Sequence, residues 1–99
     1  NISGLWDLEI QFVASIVNQT LMFEQKGNDI FGTHHASFGP RELMGRLYGN
    51  DILFRSSYTD QGVRLNFEFT GVVGKDYMDG KLSLGEYGKA EWKAKRRNY

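Results

Sequence analysis

The sequence contains no cysteine and no long apolar run, and each of these absences excludes a class of protein. Without cysteine, the chain forms no disulfide and offers no thiolate ligand to a metal. No stretch approaches the ~18 consecutive apolar residues of a membrane span. Acidic and basic residues number 12 each. This zero net charge argues against a partner that is a nucleic acid or a membrane surface.

The chain does contain enough apolar material for one folded domain. Hydrophobic residues make up 40% of the 99 positions and aromatic residues 14%. A chain of this length buries roughly two-thirds of its unfolded surface. We therefore expect a single domain over residues 1–99. It starts at Asn1 without a methionine and nothing in it marks secretion, so we expect a cytoplasmic domain excised from a longer chain.

Apolar and polar residues alternate along most of the chain. In "VRLNFEFT" the apolar residues Val63, Leu65, Phe67 and Phe69 are interleaved with polar ones, and "LWDLEIQFV" repeats the pattern. A period of two belongs to a β-strand with one buried face. No segment shows a 3.6-residue apolar stripe with helix caps. The sequence therefore predicts an all-β protein.

Turn signals divide the chain into eight strands. Gly27-Asn28, Gly49-Asn50 and Gly74-Lys75-Asp76 predict tight turns, because glycine and asparagine accept positive φ. With the softer breaks between them, the predicted strands span 4–13, 19–26, 29–36, 42–48, 51–58, 63–73, 77–84 and 89–97. Short antiparallel strands with short connections predict an eight-stranded up-and-down (meander) β-barrel, whose closure removes the sheet edges. A sandwich is the alternative, but it normally needs longer crossover connections.

Two features predict how such a barrel is shaped and closed. Four glycines fall in phase with the inward residues of their strands, where glycine marks bends or close backbone approach. They are Gly32, Gly45, Gly71 and Gly80. Arg96 falls in the inward phase of the last strand, beside Trp6. We expect its guanidinium to stack on the indole and to bond loop carbonyls.

The end of the barrel opposite the chain termini, which we call the mouth, has polar residues in the inward phase. The candidate ligand-binding residues are His34, Ser56, Tyr58, Glu86, Arg41 and Tyr87, with Gln19 beside them at the rim. Polar groups that converge at the open end of a small barrel are typical of a small-molecule site. The alternative is that phenylalanines fill the interior and that the strands become polar only where they meet water.

The chain has only two histidines, and they are adjacent. Neighbouring strand residues point to opposite faces, so His34 and His35 do not share a metal ion, and we expect no metal site. A hydrogen bond between His34 and Glu86 at the mouth is the expectation. Together with Ser56 these residues match the types of a nucleophilic triad, but no Gly-x-Ser-x-Gly elbow is present. We expect the protein not to be an enzyme.

Several apolar residues fall in the phase that faces solvent, and some lie on neighbouring strands. They are Leu5, Val13, Met22, Phe31, Met44, Leu53 and Val72. A contiguous patch of such residues indicates a surface for a protein partner. That partner is expected to be a second barrel or a domain of a longer chain.

The start "SGLWDLEI" and the late basic "KAKRR" resemble the closure of the avidin and lipocalin barrels. In those barrels a Gly-x-Trp near the start is covered by an arginine of the last strand, and the matching positions here are Gly4, Trp6 and Arg96. "IFGTHHAS" is similar to the third strand of avidins, and this places His34 at a ligand-contacting position. Asp7 and Glu9 replace the polar residues that follow the avidin Gly-x-Trp, so biotin is not the ligand that the resemblance implies.

Nearly the whole chain resembles a small C-terminal barrel module of bacterial enzymes. The segments "FEQKGNDIFGTHHASF" and "FTGVVGKDYMDGKLSLGEYGKAEWKAKRR" carry this resemblance, and the run Leu84 to Trp92 is its most specific part. The module is associated with selenocysteine-synthase-like pyridoxal-phosphate proteins and with some amidohydrolase-like proteins. The resemblance implies a module with no catalytic residues and no cofactor of its own, attached to a host enzyme.

Two hypotheses of function follow. The first is a non-catalytic accessory barrel that packs on a host enzyme domain or pairs with itself through its outward apolar residues. The second is a barrel that binds a small molecule at the mouth, and it requires a cavity of roughly 300 Å³ or more at that end. A hydrolase built on Ser56 and His34 would need those side chains within hydrogen-bond reach.

Overall fold

A computed structural model describes residues 1–97, apart from the side chain of Asp60, and shows eight antiparallel strands that form a closed barrel. The strands are β1 (Gly4–Gln11), β2 (Ile16–Lys26), β3 (Asp29–Ala36), β4 (Gly39–Tyr48), β5 (Asp51–Asp60), β6 (Val63–Val73), β7 (Tyr77–Ser83) and β8 (Lys89–Arg96). Each strand pairs with the next one along the chain, and β8 pairs with β1. The predicted all-β meander barrel is confirmed.

The predicted strand bounds hold where a tight turn or an unbroken alternation marks them. Strands β3 and β6 have the predicted bounds, but β2 begins at Ile16 and β4 begins at Gly39. The first loop is only 12–15, where the Phe12 amide donates to the Ser15 carbonyl at 2.8 Å. Pro40, the second residue of β4, pairs opposite His35. Polar or proline-containing stretches that look like loops in the sequence are therefore the ends of strands.

The only helical element among the described residues is a 3₁₀ turn, Gly85–Tyr87, in the connection between β7 and β8. Within residues 1–97, no helix has the length and apolar character needed to cross a membrane.

The barrel interior is filled by the inward side chains, and aromatic rings occupy its centre. The Phe54 and Phe69 rings are stacked with centroids 4.4 Å apart, and the Trp92 ring meets both edge-on at 5.5 Å. Phe23 packs against Phe54 from the opposite side at 5.1 Å. All four side chains are buried. Because each ring also buries a large apolar area, this cluster supplies much of the hydrophobic stabilisation.

Strand glycines allow the sheet to coil tightly around this core. A Cβ built on Gly80 would lie 1.8 Å from the Thr70 carbonyl oxygen, and one built on Gly45 would lie 1.9 Å from that of Leu53. Gly32 and Gly71 are equally close to neighbouring backbone. Any side chain at these positions would push adjacent strands apart. The four inward glycines are thus sites of close backbone approach, one of the two roles that the sequence indicates for them.

The end that holds the chain termini is closed by Trp6 and Arg96. The guanidinium carbon of Arg96 lies 4.6 Å from the centroid of the indole, and its nitrogens donate to the carbonyls of Ser3 and Asn1 at 3.0 Å. The indole nitrogen donates to the Ile2 carbonyl at 2.9 Å. This is the contact expected for Gly4, Trp6 and Arg96 from the sequence. It joins the first and last segments of the chain.

Candidate functional site

His34 is the centre of the predicted mouth site, and it is completely buried. Its Nε2 lies 2.5 Å from the Gln19 side-chain oxygen, and its Nδ1 lies 2.8 Å from the Ser56 hydroxyl. Since the Gln19 oxygen only accepts, Nε2 carries the proton and Nδ1 accepts from Ser56. All the hydrogen-bonding capacity of a neutral imidazole is used by these two contacts.

The surroundings of His34 favour its neutral form. Burial, and to a smaller extent the charge of the neighbouring His35, lowers the pKa of His34 from 6.5 to about 4. The rings of Phe67, Phe38 and Phe69 meet the imidazole edge-on, with centroids 5.3, 5.7 and 5.8 Å away. An apolar cage of this kind penalises the imidazolium ion. His34 is therefore held as a neutral hydrogen-bonding group at neutral pH.

An aromatic lid covers the imidazole on the mouth side. Phe38, in the turn between β3 and β4, stacks on Tyr58 with ring centroids 4.5 Å apart and an interplanar angle of 20°. The Arg41 guanidinium lies 4.9 Å from the Tyr58 centroid and 5.3 Å from that of Phe38. Tyr58 and Arg41 therefore lie together at the mouth, but they face the lid rather than an open cavity.

Glu86 and Tyr87 do not join this cluster. Both lie in the 3₁₀ turn of the last connection and are exposed. The expected hydrogen bond between His34 and Glu86 is wrong, because Gln19 and Ser56 already occupy both ring nitrogens. The inward phase of a strand does not extend into a turn, and residues 84–88 leave the strand alternation before Glu86.

Ser56 and His34 form the hydrogen bond expected of a nucleophile and its general base, but the Ser56 hydroxyl is not accessible to a substrate. The hydroxyl donates to the imidazole as it would in a hydrolase. Ser56 is buried, however, and the third group is an amide rather than a carboxylate. In this conformation a substrate does not reach the hydroxyl. The contacts match those of a satisfied buried polar network, which fixes side-chain geometry in a core.

Within residues 1–97, no three His, Cys, Asp or Glu side chains lie close enough to share a metal ion. His35 points away from His34, as the strand alternation predicts, and contacts the Thr33 hydroxyl at 2.8 Å.

Three of the seven outward apolar residues form a contiguous group on β3, β4 and β5. Phe31 and Met44 are directly opposite one another, and Leu53 is next to Met44 along the diagonal of the β4–β5 pair. These three side chains, which we call the apolar face, line a surface depression of about 600 Å³. Sequence periodicity identified its members, and the register shows that they are adjacent.

The other outward apolar residues lie outside this depression, although Met22 is diagonal to Phe31 and Val72 is diagonal to Leu53 in the neighbouring strand pairs. Leu5 pairs opposite Met22 on β1 and β2, where both are half-buried. Val13 protrudes from the first loop, and Val72 lies near the far end of β6. These residues do not line the depression around the apolar face.

The sequence did not predict the positions of two aromatic side chains, Phe38 in the lid and Tyr77 at the start of β7. Phe38 stood in a predicted break, so its role as a lid could not be assigned. Tyr77 begins β7 and is exposed, which gave it no place in an inward set. The sequence indicated only that each of them is an aromatic residue in or next to a turn.

Comparison of the chain with protein-family models, curated proteins and solved structures finds no match. The resemblance to an enzyme-associated module stays a prediction from the sequence. Functional inference therefore rests on the geometry described above.

Proposed function

We propose that this chain is a non-catalytic accessory barrel that works by packing another protein against its outer surface. The supporting observation is the apolar face of Phe31, Met44 and Leu53 on adjacent strands. A filled interior leaves the outside of the sheet as the place for a partner. As part of the same proposal, the barrel is of the avidin type and is related to the enzyme-associated module that its sequence resembles.

The exposure of the apolar face supports an interaction role. Met44 is 55% exposed and Leu53 is 49% exposed, although both are large apolar side chains on neighbouring strands. Scattered surface apolar residues need no explanation, whereas a contiguous group rimmed by charges is typical of a protein interface. The rim here contains Asp29, Arg46, Arg55 and Glu68.

The partner that best fits the apolar face is a second copy of this barrel. Two acidic and two basic side chains form the rim, so two copies facing each other across a two-fold axis meet no net repulsion. A standard interface buries about 800 Å² on each partner. That is about one-eighth of the 6329 Å² surface of this barrel. In a longer chain, such pairing would bring two host enzyme domains together.

Sedimentation velocity over a concentration series from about 1 µM to 1 mM tests the proposal, a range that spans weak to moderate affinities. The expected result is a shift from one-chain to two-chain mass that Met44→Glu abolishes. Val63→Glu is the matched control, because Val63 is 51% exposed against 55% for Met44 but lies at the mouth end of β6. A chain that stays monomeric up to 1 mM, or a dimer that M44E does not weaken, would contradict the pairing.

The alternative hypothesis of a ligand at the mouth has a specific structural requirement. Phe38 would have to leave its stack with Tyr58 and Arg41 before a small molecule could reach His34. The same molecule would also have to replace the contacts of Gln19 and Ser56 with the imidazole. No contact in the described part of the chain favours that rearrangement over the closed state.

A further inference from the structure

A wide groove runs across the outside of the barrel where the first and last strands meet. It has a volume of about 880 Å³ and is lined by residues of β1, β2, β7 and β8 and by the end of β3. This volume falls within the range of small-molecule sites. The groove is centred on the β1–β8 seam, on the opposite side of the eight-stranded barrel from the apolar face on β3–β5.

One row of outward side chains crosses this groove through five strands. The row is given by direct cross-strand pairing: His35 with Thr20, Thr20 with Asp7, Asp7 with Lys95, and Lys95 with Tyr77. At about 4.8 Å between strands, it spans roughly 19 Å along the surface. All five side chains carry a polar group, so the row is a line of hydrogen-bonding sites of a length that suits several linked rings.

Tyr77 at the end of the row is an exposed ring in a fixed orientation. It is 59% exposed, yet a Cβ built on Gly74 would lie 2.7 and 2.8 Å from two of its ring atoms. The ring therefore packs directly on the Gly74 backbone. The Gly74 amide also donates to the Tyr77 carbonyl at 2.7 Å, which fixes the turn beneath the ring. An aromatic ring held in this way is a preformed stacking surface, because little side-chain entropy is lost on binding.

The polar groups of the groove are held in place and alternate in sign. Arg97 donates to both Asp7 and Thr20, and Lys93 forms an ion pair with Glu9 at 3.3 Å. The groove is lined by two lysines and by four carboxylates, Asp7, Glu9, Asp76 and Asp79. Each carboxylate has a basic neighbour, because Arg97 bonds Asp7, Arg96 contacts Asp76, and Lys93 pairs across the strands with Glu9 and Asp79, so the charges are largely compensated. Hydroxyl groups donate and accept at once, and they match such a mixed array better than a charged ligand does.

We propose that this groove binds a neutral oligosaccharide, with one pyranose ring stacked on Tyr77 and the hydroxyls of the following rings bonded along the row. A sugar ring with equatorial hydroxyls presents a flat C–H face to an aromatic ring and its hydroxyls at the edge. Tyr77 takes the C–H face, and the hydroxyls bond to Lys95 and to Oδ2 of Asp7, since Arg97 donates to Oδ1 of that carboxylate. The site is distinct from the apolar face, so pairing of two barrels leaves it open.

An amide-resolved NMR titration of the 99-residue chain with cellotriose and N,N′,N″-triacetylchitotriose tests this proposal. Both are neutral, β-linked trisaccharides with equatorial substituents. The expected result is a saturable set of shifts at Tyr77, Lys95 and Asp7, with a Kd of about 1 mM for at least one sugar. Choline and sorbitol are the comparison ligands, because the first tests a cation site and the second has hydroxyls but no sugar ring.

Substitutions test whether binding depends on the Tyr77 ring or reflects a general effect of changing a surface residue. Tyr77→Ala is expected to weaken binding at least tenfold. Gly74→Ala is also expected to weaken binding, because the added methyl group displaces the Tyr77 ring without removing it. Tyr48→Ala is the matched control, since Tyr48 is also a surface tyrosine, 54% exposed against 59% for Tyr77, and lies outside the groove. A folded Y77A chain that binds equally well would overturn the proposal. So would the absence of saturable shifts up to about 20 mM of both sugars, or shifts by choline or sorbitol in their place.

Discussion

At the scale of single residues, His34 is the clearest case of a side chain whose environment sets its chemistry. It is one of two adjacent histidines, yet it is buried among phenylalanines while His35 lies at the surface. Strand alternation predicted this separation. The sequence placed Ser56 near His34 at the mouth, but the contact with Gln19 could not be predicted, because β2 begins at Ile16 rather than at residue 19.

The burial of His34 predicts a loss of stability in acid. Its pKa is about 4 in the folded chain and near 6.5 when exposed, so the unfolded state binds more protons between these values. Stability is fully present above pH 6.5 and falls as the pH drops towards 4. A shift of this size corresponds to about 3 kcal/mol of unfolding free energy. Urea unfolding between pH 7 and 4 measures it.

The adjacent histidine supplies the control for this prediction. His34→Gln is expected to remove most of the histidine-dependent part of the acid destabilisation. His35→Gln should reduce the difference between pH 7 and pH 4 only slightly, because His35 is the smaller cause of the lowered His34 pKa. If H34Q and wild-type chains lost equal free energy on acidification, the neutral buried imidazole would not be the cause.

At the scale of elements, the close approach of strands explains why four glycines lie in the barrel wall. The sequence indicated their inward phase, but it could not show what each one faces. Gly71 and Gly80 are paired with one another across β6 and β7, so both strands lack a side chain at the same level. Trp92 fills the adjoining space, and its indole nitrogen donates to the Thr70 and Lys81 carbonyls at 3.1 and 3.0 Å.

This arrangement predicts that Gly80→Ala is strongly destabilising. The new methyl group would lie 1.8 Å from the Thr70 oxygen and 2.5 Å from the Gly71 Cα, both of them backbone atoms that belong to the sheet. We expect a loss of about 3 kcal/mol or more, at the upper end of overpacking effects. Gly62→Ala is the control, because Gly62 has positive φ but open space around it. Its cost should be about 1 kcal/mol. Equal losses for G80A and G62A in chemical denaturation would argue against strand crowding.

At the scale of the whole molecule, the barrel is closed both by hydrogen bonds and by one side chain. Trp6 pairs directly opposite Arg96 in the β1–β8 seam, and Arg96 also contacts Asp76 at 3.4 Å in the last tight turn. Composition, alternation and turn spacing were enough to predict the closed barrel and the stacking of Arg96 on Trp6, but not the contact with Asp76. The apolar face and the groove at the β1–β8 seam were harder to predict. Which residues are adjacent across strands depends on the strand register, which one sequence does not specify.

Arg96→Lys is expected to destabilise the chain by about 2 kcal/mol, since an ammonium group cannot both stack flat on the indole and reach two carbonyls. Arg55→Lys should change the stability by no more than about 0.5 kcal/mol, because Arg55 is an outward, exposed arginine. Thermal unfolding followed by tryptophan fluorescence, at a concentration where the chain is monomeric, compares the two variants. Indistinguishable melting curves for R96K and R55K would count against a closing role for Arg96.

The β1–β8 seam also bears on how a ribosome-bound copy of this sequence can fold. Hairpins between successive strands form from neighbouring residues, but the seam joins segments separated by about 90 positions, as between Trp6 and Arg96. Closing so long a loop has a high entropic cost and comes late. Until β8 has left the ribosome exit tunnel, β1 and β7 are each an exposed edge able to pair with another nascent chain. The closed sheet that protects the finished barrel from aggregation is therefore absent during its synthesis, when chaperone contact with those two edges would matter most.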